Sequence, residues 1–400
     1  MEIYLDNSAT TKVLPEVAAA MAKTMVEDYG NPSSLHGKGV ASERLLTTAR
    51  RQIATLAGVD AGEIFFTSGG TEANNWAIRG AALQRQGRGR HIITTQIEHP
   101  SVLASCQLLE EEGFAITYLP VNQEGLVSGE DLRAALRKDT ILLSIIHTNN
   151  EVGTIQPIEE FGQIMKELAP QALFHVDGVQ SFGKLPIPIR RAKIDLLSIT
   201  AHKIHGPKGS GALYIKQGVV IKPLLVGGEQ EGQRRGGTEN LPGIVGFGLA
   251  AEKAGKSIAK LDQMAELKKY FLACFRDFKG IHLNSSEERG LPYILNLWFD
   301  GVDKAEVLLH MLEENALYVS TGSACHSKRD NPSHVLKAMG KKEEALYGAI
   351  RVSLSVFTDR EELARGAEII KEKVRDYREF KGVNYEYRFD NQVRRDQPKG

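Results

Sequence analysis

The segments that decide the fold class are Ile141-Leu-Leu-Ser-Ile-Ile146, Leu173-Phe-His-Val176 and Leu196-Leu-Ser-Ile199. They are short and apolar, and longer amphipathic stretches separate them. The same alternation occurs upstream, at Ile64-Phe-Phe-Thr67, Ile92-Ile-Thr-Thr95 and Ala115-Ile-Thr-Tyr-Leu119. Buried strands that alternate with helices form a mainly parallel sheet covered by helices on both faces. The sequence therefore predicts an α/β fold.

The rest of the chain predicts a division into two domains. Pro15 begins a helix that ends near Gly30, and a second helix over 40–57 stops at Gly58. A polar helical segment around 253–269 marks the boundary, so we expect a large α/β domain over 15–260. The smaller α+β domain combines 1–14 with 261–378, and residues 379–400 form a polar tail. The predicted strands of the smaller domain are 293–299 and 351–357, and its predicted helices are 304–314 and 360–377.

The composition of the chain argues against several classes of binding partner. The 400 residues include 50 basic and 50 acidic side chains, so no net charge attracts nucleic acid or an anionic membrane. No apolar run approaches the ~20 residues of a bilayer span. The N-terminal segment is acidic where a targeting peptide is basic. The cysteines, Cys106, Cys274 and Cys325, are few and far apart, which predicts neither a disulfide framework nor a zinc site. We expect a cytoplasmic protein without a metal.

The stretch Ser68-Gly-Gly-Thr71 follows a predicted strand and begins a helix. Backbone N–H groups and the helix dipole would converge there on an anion. A plain strand-to-helix turn, with Thr71 as the N-cap, explains the same residues equally well. Neither standard nucleotide fingerprint is present, so a compact monophosphate suits the segment better than ATP or NAD.

Three further residues stand at predicted strand ends or helix starts. Asp177 ends a buried strand, where open α/β sheets bind ligands, although such an Asp is often only a turn cap. Lys203 follows the next strand, and a lysine there is usually solvated. His99 begins another helix. A phosphate seat, an acid for a pyridine nitrogen and a lysine for an imine are what pyridoxal phosphate requires.

The order and spacing of several motifs make the chain similar to the group I cysteine desulfurases, the NifS/IscS type, among the fold-type I pyridoxal-phosphate enzymes. The likeness covers nearly the whole length. It is carried by Tyr4-Leu-Asp-Asn-Ser-Ala-Thr-Thr11, Tyr29-Gly-Asn-Pro-Ser-Ser34, Phe66-Thr-Ser-Gly-Gly-Thr-Glu72, Asn149-Asn-Glu-Val-Gly153, His175-Val-Asp-Gly-Val-Gln180, Ala201-His-Lys-Ile-His-Gly-Pro-Lys-Gly209, Arg234-Arg-Gly-Gly-Thr-Glu-Asn240 and Ser320-Thr-Gly-Ser-Ala-Cys325. The resemblance implies a seven-stranded, mainly parallel sheet.

The resemblance also implies a role for each matching residue. Lys203 would carry pyridoxal 5'-phosphate as a Schiff base, Asp177 would pair with the ring nitrogen, and His99 would stack on the ring. Gln180 would bind the ring hydroxyl, while Asn150 and Arg351 would clamp the substrate carboxylate. The phosphate would be held by Gly70, Thr71, Thr200 and His202, together with Thr238 from the second subunit of a homodimer.

Cys325 indicates which reaction the cofactor would serve. It lies in a predicted loop of the smaller domain, 320–333, which is polar and rich in small residues. Lys328 and Arg329 are nearby, and positive charge favours the reactive thiolate. Cys106 and Cys274 lie in helical patterns beside apolar residues, so we expect them to be packing residues. The predicted reaction removes sulfur from L-cysteine, giving L-alanine and a persulfide on Cys325.

Several alternatives and partners accompany this prediction. A selenocysteine lyase would share the site, and an inactive scaffold would share the fold. The resemblance implies that the sulfur passes to an iron–sulfur scaffold protein or to a tRNA-thiolation acceptor, and the residues do not say which. Arg394 and Arg395 could contribute to an acceptor surface, although a solvated terminus explains them as well.

Overall fold

The computed structural model describes residues 2–321 and 332–382. Within them, an α/β architecture contains a seven-stranded sheet, a four-stranded sheet and a short parallel pair. The strands are β1 (Ile3–Tyr4), β2 (Ile64–Thr67), β3 (His91–Thr95), β4 (Ala115–Leu119), β5 (Thr140–Ile146), β6 (Leu173–Asp177), β7 (Leu196–Thr200), β8 (Gly211–Ile215), β9 (Ile281–Leu283), β10 (Ile294–Phe299), β11 (Leu317–Tyr318), β12 (Ser320–Thr321) and β13 (Ile350–Ser353).

Helices cover both sheets. They are α1 (Pro15–Val26), α2 (Gly37–Ala57), α3 (Gly70–Arg85), α4 (Pro100–Glu111), α5 (Gly129–Ala135), α6 (Ile158–Leu168), α7 (Gln230–Gln233), α8 (Leu241–Ile258), α9 (Leu261–Ala273), α10 (Ala305–Glu313), α11 (His334–Ala338), α12 (Glu343–Gly348) and α13 (Arg360–Phe380). Among the described residues, no helix has the length and apolar character of a membrane span.

The larger sheet has the strand order β2-β8-β7-β6-β5-β3-β4. The strands β3 to β7 run parallel to one another, whereas β8 is antiparallel to both of its neighbours. This confirms the predicted α/β class and the mainly parallel seven-stranded sheet. The six strands predicted from apolar runs are observed to within one residue at either end.

Apolar side chains pack on both faces of this sheet. On one face, Ile53 of α2 and Phe247 of α8 are fully buried, and on the other face Trp76 of α3 and Leu109 of α4 are buried. Each such side chain stabilises the fold by ~1.5–3 kcal/mol relative to an exposed one. Because both faces are covered, ligands reach the sheet only at the ends of its strands.

The smaller sheet, β12-β13-β10-β9, is antiparallel throughout. Its core contains Phe271 of α9 and Phe299 of β10. The N-terminal Ile3 and Leu5 are buried in the same core, and β1 pairs with β11. The grouping of 1–14 with 261–378 and the boundary at 260 remain a prediction.

Several predicted elements differ from the structure. The helix that begins at Pro15 ends at Val26 rather than near Gly30, and the next helix begins at Gly37 rather than at 40. The segment around 253–269 is not one helix, because α8 ends at Ile258 and α9 begins at Leu261. The strand predicted over 351–357 ends at Ser353. There a side-chain turn replaces the ladder, since Thr358 Oγ1 accepts the N–H of Ser355 at 3.0 Å.

Candidate active site

A cavity of about 440 Å³ lies at the carboxyl ends of β5, β6 and β7. Parallel strands of an open sheet place their following loops at one edge, which is where such sheets bind ligands. Ten of the predicted site residues line this cavity: Gly70, Thr71, His99, Asn150, Asp177, Gln180, Thr200, His202, Lys203 and Arg351.

One end of the cavity is formed by the start of α3, whose sixteen residues begin at Gly70. A Cβ on Gly70 would lie 2.7 Å from Val179 Cγ2, so this position has no room for a side chain. Across from it stand Thr200 and His202, which follow β7. Burial lowers the pKa of His202 to about 3, so its imidazole is neutral at pH 7. Helix N–H groups, two hydroxyls and a neutral imidazole suit a phosphate.

The carboxylate of Asp177 is held in a fixed orientation at the end of β6. Its Oδ2 accepts the side-chain N–H of Asn74 at 2.7 Å, and its Oδ1 accepts the N–H of Val179 at 3.0 Å. The second bond is the turn cap that the sequence allowed as an alternative. The residue is only 2% exposed and still lines the cavity, so the turn cap also orients a buried carboxylate toward it.

Lys203 ends a short 3-10 turn, Ala201–Lys203, directly after β7. Its Nζ donates to the carbonyl oxygens of Ser8 and Ala9, at 2.5 and 2.7 Å. Gln180 Nε2 donates to the same Ser8 carbonyl at 2.9 Å. The N-terminal segment therefore closes one side of the cavity next to the lysine.

Arg351 of β13 reaches the cavity from the smaller sheet. Its Nη2 lies 2.8 Å from Asp6 Oδ1, and its Nη1 donates to the Asn150 carbonyl oxygen at 3.0 Å. The residue is 2% exposed, and its buried Nε has no hydrogen-bond partner among the residues that the structure describes. Asp6 holds the guanidinium beside Asn150, the other residue predicted to bind a carboxylate.

His99 is the N-cap of α4, and Pro100 fills the first helical position. Its Nδ1 accepts the N–H of Ser101 at 3.2 Å. In the neutral ring the proton therefore lies on Nε2. Burial lowers the pKa of His99, and the positive charge of Lys203 adds to this effect against the opposing influence of Asp177.

One predicted residue does not line this cavity, and another lies outside the described residues. Thr238 is exposed and lies outside the cavity. Cys325 falls within 322–331, outside the described residues, as do Lys328 and Arg329. The tail arginines at 394 and 395 are also outside them.

The other two thiols have the packing environment predicted for them. Cys106 is buried in α4, and burial raises its pKa to about 12. Cys274 is half-buried at the end of α9, and burial likewise raises its pKa. Neither is a favourable nucleophile.

Sequence reasoning missed five functional neighbours: Asp6, Ser8, Asn74, Glu151 and His334. Asp6, Ser8 and Glu151 belong to motifs that carry the family resemblance, which was the available signal. Asn74 is the fifth residue of α3, and its position in the helix does not reveal a contact to Asp177 in β6. His334 stands apart from every motif.

The donors and acceptors of this cavity fit pyridoxal phosphate. The start of α3 suits the phosphate, Asp177 suits a protonated ring nitrogen, and Lys203 is the amine that an aldehyde needs. Buried polar atoms around the cavity lack partners within the described chain, namely Ser8 Oγ, Asn74 Oδ1 and Arg351 Nε. Such orphaned atoms are expected where a polar ligand completes the site.

Fold and site together define an enzyme of amino-acid chemistry, and comparison with known proteins identifies the family. The model of the aminotransferase class-V family matches residues 3–365. A cysteine desulfurase IscS of Methanosarcina thermophila is 46% identical over 377 residues, which are 94% of this chain and 93% of that protein. A cysteine desulfurase IscS of Dictyoglomus turgidum is 44% identical, over 97% of this chain and 98% of that protein.

Comparison with solved structures points to the same family. A NifS-like protein superposes with a TM-score of 0.88 at 39% identity, covering 94% of this chain and 99% of that one. A NifS-like protein from Rickettsia africae gives a TM-score of 0.84 at 33% identity, over 94% and 99% of the two chains. The chain belongs to the aminotransferase class-V family, among its cysteine desulfurases.

Proposed function

We propose that this chain is a cysteine desulfurase, which uses pyridoxal 5'-phosphate to remove sulfur from L-cysteine and releases L-alanine. The observation that carries the proposal is the single cavity that brings Lys203, Asp177 and Arg351 together in a chain of this family. An amine, a carboxylate for the ring nitrogen and a guanidinium for the substrate carboxylate are the groups that this reaction needs.

The cofactor would lie between the start of α3 and His99. Gly70, Thr71, Thr200 and His202 would hold its phosphate, and Asp177 would hold its ring nitrogen. Gln180 would bind the ring hydroxyl, and His99 would stack on the ring. When bound, pyridoxal phosphate supplies an electron sink for a carbanion at the substrate Cα.

The protein's own groups would bind and deprotonate the substrate. Arg351 and Asn150 would orient the carboxylate of L-cysteine, since a guanidinium binds a carboxylate with two parallel hydrogen bonds. This places Cα near Lys203, whose amine would take the Cα proton. His99, once protonated, would donate a proton at Cβ after the sulfur has left and return to the neutral imidazole. The Cys325 thiolate would accept that sulfur as a persulfide.

The proposal extends to assembly and partners. We infer a cytoplasmic homodimer in which Thr238 of each subunit contributes to the phosphate site of the other. The persulfide sulfur would pass to an iron–sulfur scaffold protein or to a tRNA-thiolation acceptor. No direct nucleic-acid or membrane contact is part of the proposal.

The test is alanine production from L-cysteine by the purified protein in the presence of a thiol reductant. Cys325→Ala should abolish alanine production while the visible absorbance of the cofactor persists, and Cys274→Ala serves as the matched control. Normal turnover by Cys325→Ala would contradict the assignment of the sulfur acceptor.

Two alternative functions are distinguished when the assay is run with L-cysteine and with selenocysteine. Selenocysteine turnover without cysteine turnover would indicate a selenocysteine lyase. A colourless protein without turnover of either substrate would indicate a scaffold of the same fold.

A further inference from the structure

His334 is a cavity residue that the proposed function leaves without a role. It is the first residue of α11 and lines the cavity together with Asn150 and Glu151. The preceding Ser333 caps α11 and its hydroxyl donates to Glu151 Oε2 at 2.5 Å. The start of α11 is therefore attached to the turn that carries Asn150.

The ring of His334 is oriented by a backbone contact. Its Nε2 lies 2.9 Å from the carbonyl oxygen of Glu98. A carbonyl oxygen only accepts, so Nε2 carries the proton and donates. In the neutral ring the lone pair then belongs to Nδ1, which makes that nitrogen the basic one.

His334 lines the same cavity as the two residues proposed to bind the substrate carboxylate. Arg351 donates to the backbone of Asn150, and both are the residues proposed to bind the substrate carboxylate. In cysteine only a few bonds separate the carboxylate from the thiol, so a substrate held by Arg351 and Asn150 would have its sulfur inside the cavity that His334 lines. His334 is also close enough to His99 for a positive charge on one ring to disfavour a charge on the other.

We propose that His334 is a further catalytic residue, whose Nδ1 accepts the proton of the substrate thiol as the sulfur is transferred. The inference rests on the proposed desulfurase function. In this step the S–H bond breaks, an N–H bond forms, and the electron pair stays on sulfur. No oxidant or reductant is required, and the imidazolium later releases the proton to solvent.

Several charged groups surround this histidine and contribute to its pH response. They come from the segment before α4, the turn after β5, and the elements β6, β13 and the 3-10 turn: Glu98, His99, Glu151, Asp177, Arg351 and Lys203. Burial raises the pKa of Glu98 to about 8 and that of Glu151 to about 7. The test therefore compares two substrates at each pH, so that these shared titrations cancel.

The decisive variant is His334→Gln. Glutamine keeps an N–H donor for the Glu98 carbonyl and cannot take up a proton. Cysteine turnover at pH 7 should fall about 100-fold, which is the usual scale for the loss of a general base. Selenocysteine turnover should change less than about threefold, because a selenol is a stronger acid than a thiol and is already ionised at this pH. The cysteine deficit should narrow above pH ~8.5, where the thiol ionises unaided.

The control is His310→Gln, the same substitution at an exposed histidine of α10, which should leave both activities unchanged. An equal loss with both substrates would overturn the inference and reduce His334 to a wall residue, and so would unchanged cysteine turnover. Absence of alanine from the wild-type protein would instead overturn the proposed function, and this inference with it.

A second variant covers the case in which His334→Gln does not fold. His334→Ala should lose cysteine turnover and regain it with added imidazole, because free imidazole can occupy the vacated space and accept the proton. Failure of imidazole to restore any turnover in the folded variant would overturn the proposal.

Discussion

Lys203 acquires its proposed role from its neighbours rather than from its own position. In sequence it is one of many loop lysines, whereas in the structure its amine lies in a cavity next to Gln180 and the N-terminal segment. An amine that lies in this cavity beside two carbonyl acceptors is placed to react with an aldehyde bound there.

The first prediction concerns this amine. Lys203→Ala should give a protein in which borohydride reduction no longer links the cofactor to the chain, because among the described residues Lys203 is the only lysine that lines the cavity. Mass spectrometry of the reduced protein measures the linkage. Lys208→Ala removes an exposed lysine of the same loop and should retain it. A reduced adduct in Lys203→Ala would disprove the assignment.

The second prediction concerns the guanidinium of Arg351. Arg351→Lys keeps the charge but loses the paired hydrogen bonds, each worth ~1.5–3 kcal/mol for a charged group. KM for L-cysteine should rise about 10–100-fold, which is that energy expressed as affinity. The cofactor spectrum should be unchanged. Arg365→Lys, exposed on α13, is the control, and an unaltered KM in Arg351→Lys would show that the carboxylate binds elsewhere.

At the scale of elements, the end of β5 and the start of α4 are joined by a buried carboxyl group. Glu98 Oε1 accepts the hydroxyl of Thr95 at 2.7 Å and the N–H of Ile146 at 2.9 Å. Burial raises the pKa of Glu98 to about 8. The group is therefore neutral at pH 7 in the folded protein and ionised in the unfolded chain.

The third prediction follows from this difference. Because the folded pKa lies above the unfolded value of ~4.3, the stabilisation is complete below pH ~4.3 and is lost as the pH rises toward about 8. Between pH 6 and 8 the free energy of unfolding should fall by up to about 1.4 kcal/mol per pH unit from this group. Glu98→Gln should remove that slope.

Urea unfolding at each pH measures the effect. Glu111→Gln, exposed on α4, is the matched control and should keep the wild-type slope. The same slope in Glu98→Gln as in the wild type would show that another group causes the pH dependence.

The strands show which parts of the fold local sequence patterns predict and which they do not. The apolar runs predicted the bounds of β2 to β7 closely, because a strand buried on both faces needs continuous apolar residues. The strand β8 was overlooked, since its first residue, Gly211, also ends a glycine-rich loop. Its antiparallel direction depends on how the chain returns to the sheet, which no local pattern records.

At the scale of the whole molecule, Thr238 is exposed and contributes nothing to the cavity of its own chain. The segment that carries it is nevertheless attached to α2 and to the first turn of α3. Glu231 accepts two hydrogen bonds from Arg50 at 2.7 Å, and Arg235 lies 3.0 Å from Glu72 of α3. These ion pairs would present Thr238 to a second copy in a defined place.

The fourth prediction tests this assembly. The protein should elute as a dimer, and Thr238→Ala should weaken retention of pyridoxal phosphate about 10–100-fold, because a charged hydrogen bond contributes ~1.5–3 kcal/mol. Equilibrium dialysis against the cofactor measures the retention, and Thr238→Ser should preserve it. A monomeric protein with wild-type retention would exclude a shared site.

The amino-acid sequence alone determined the fold class, most strand bounds and ten residues of the cavity wall. These features could be predicted because apolar patterns and turn residues act over a few neighbouring positions. The motifs could be recognised because their order and spacing are visible along the chain. Only the tertiary structure brought Asp6 to Arg351, Asn74 to Asp177 and His334 to Glu98. These pairs are separated by 345, 103 and 236 positions, so their contacts depend on how the sheets and helices pack.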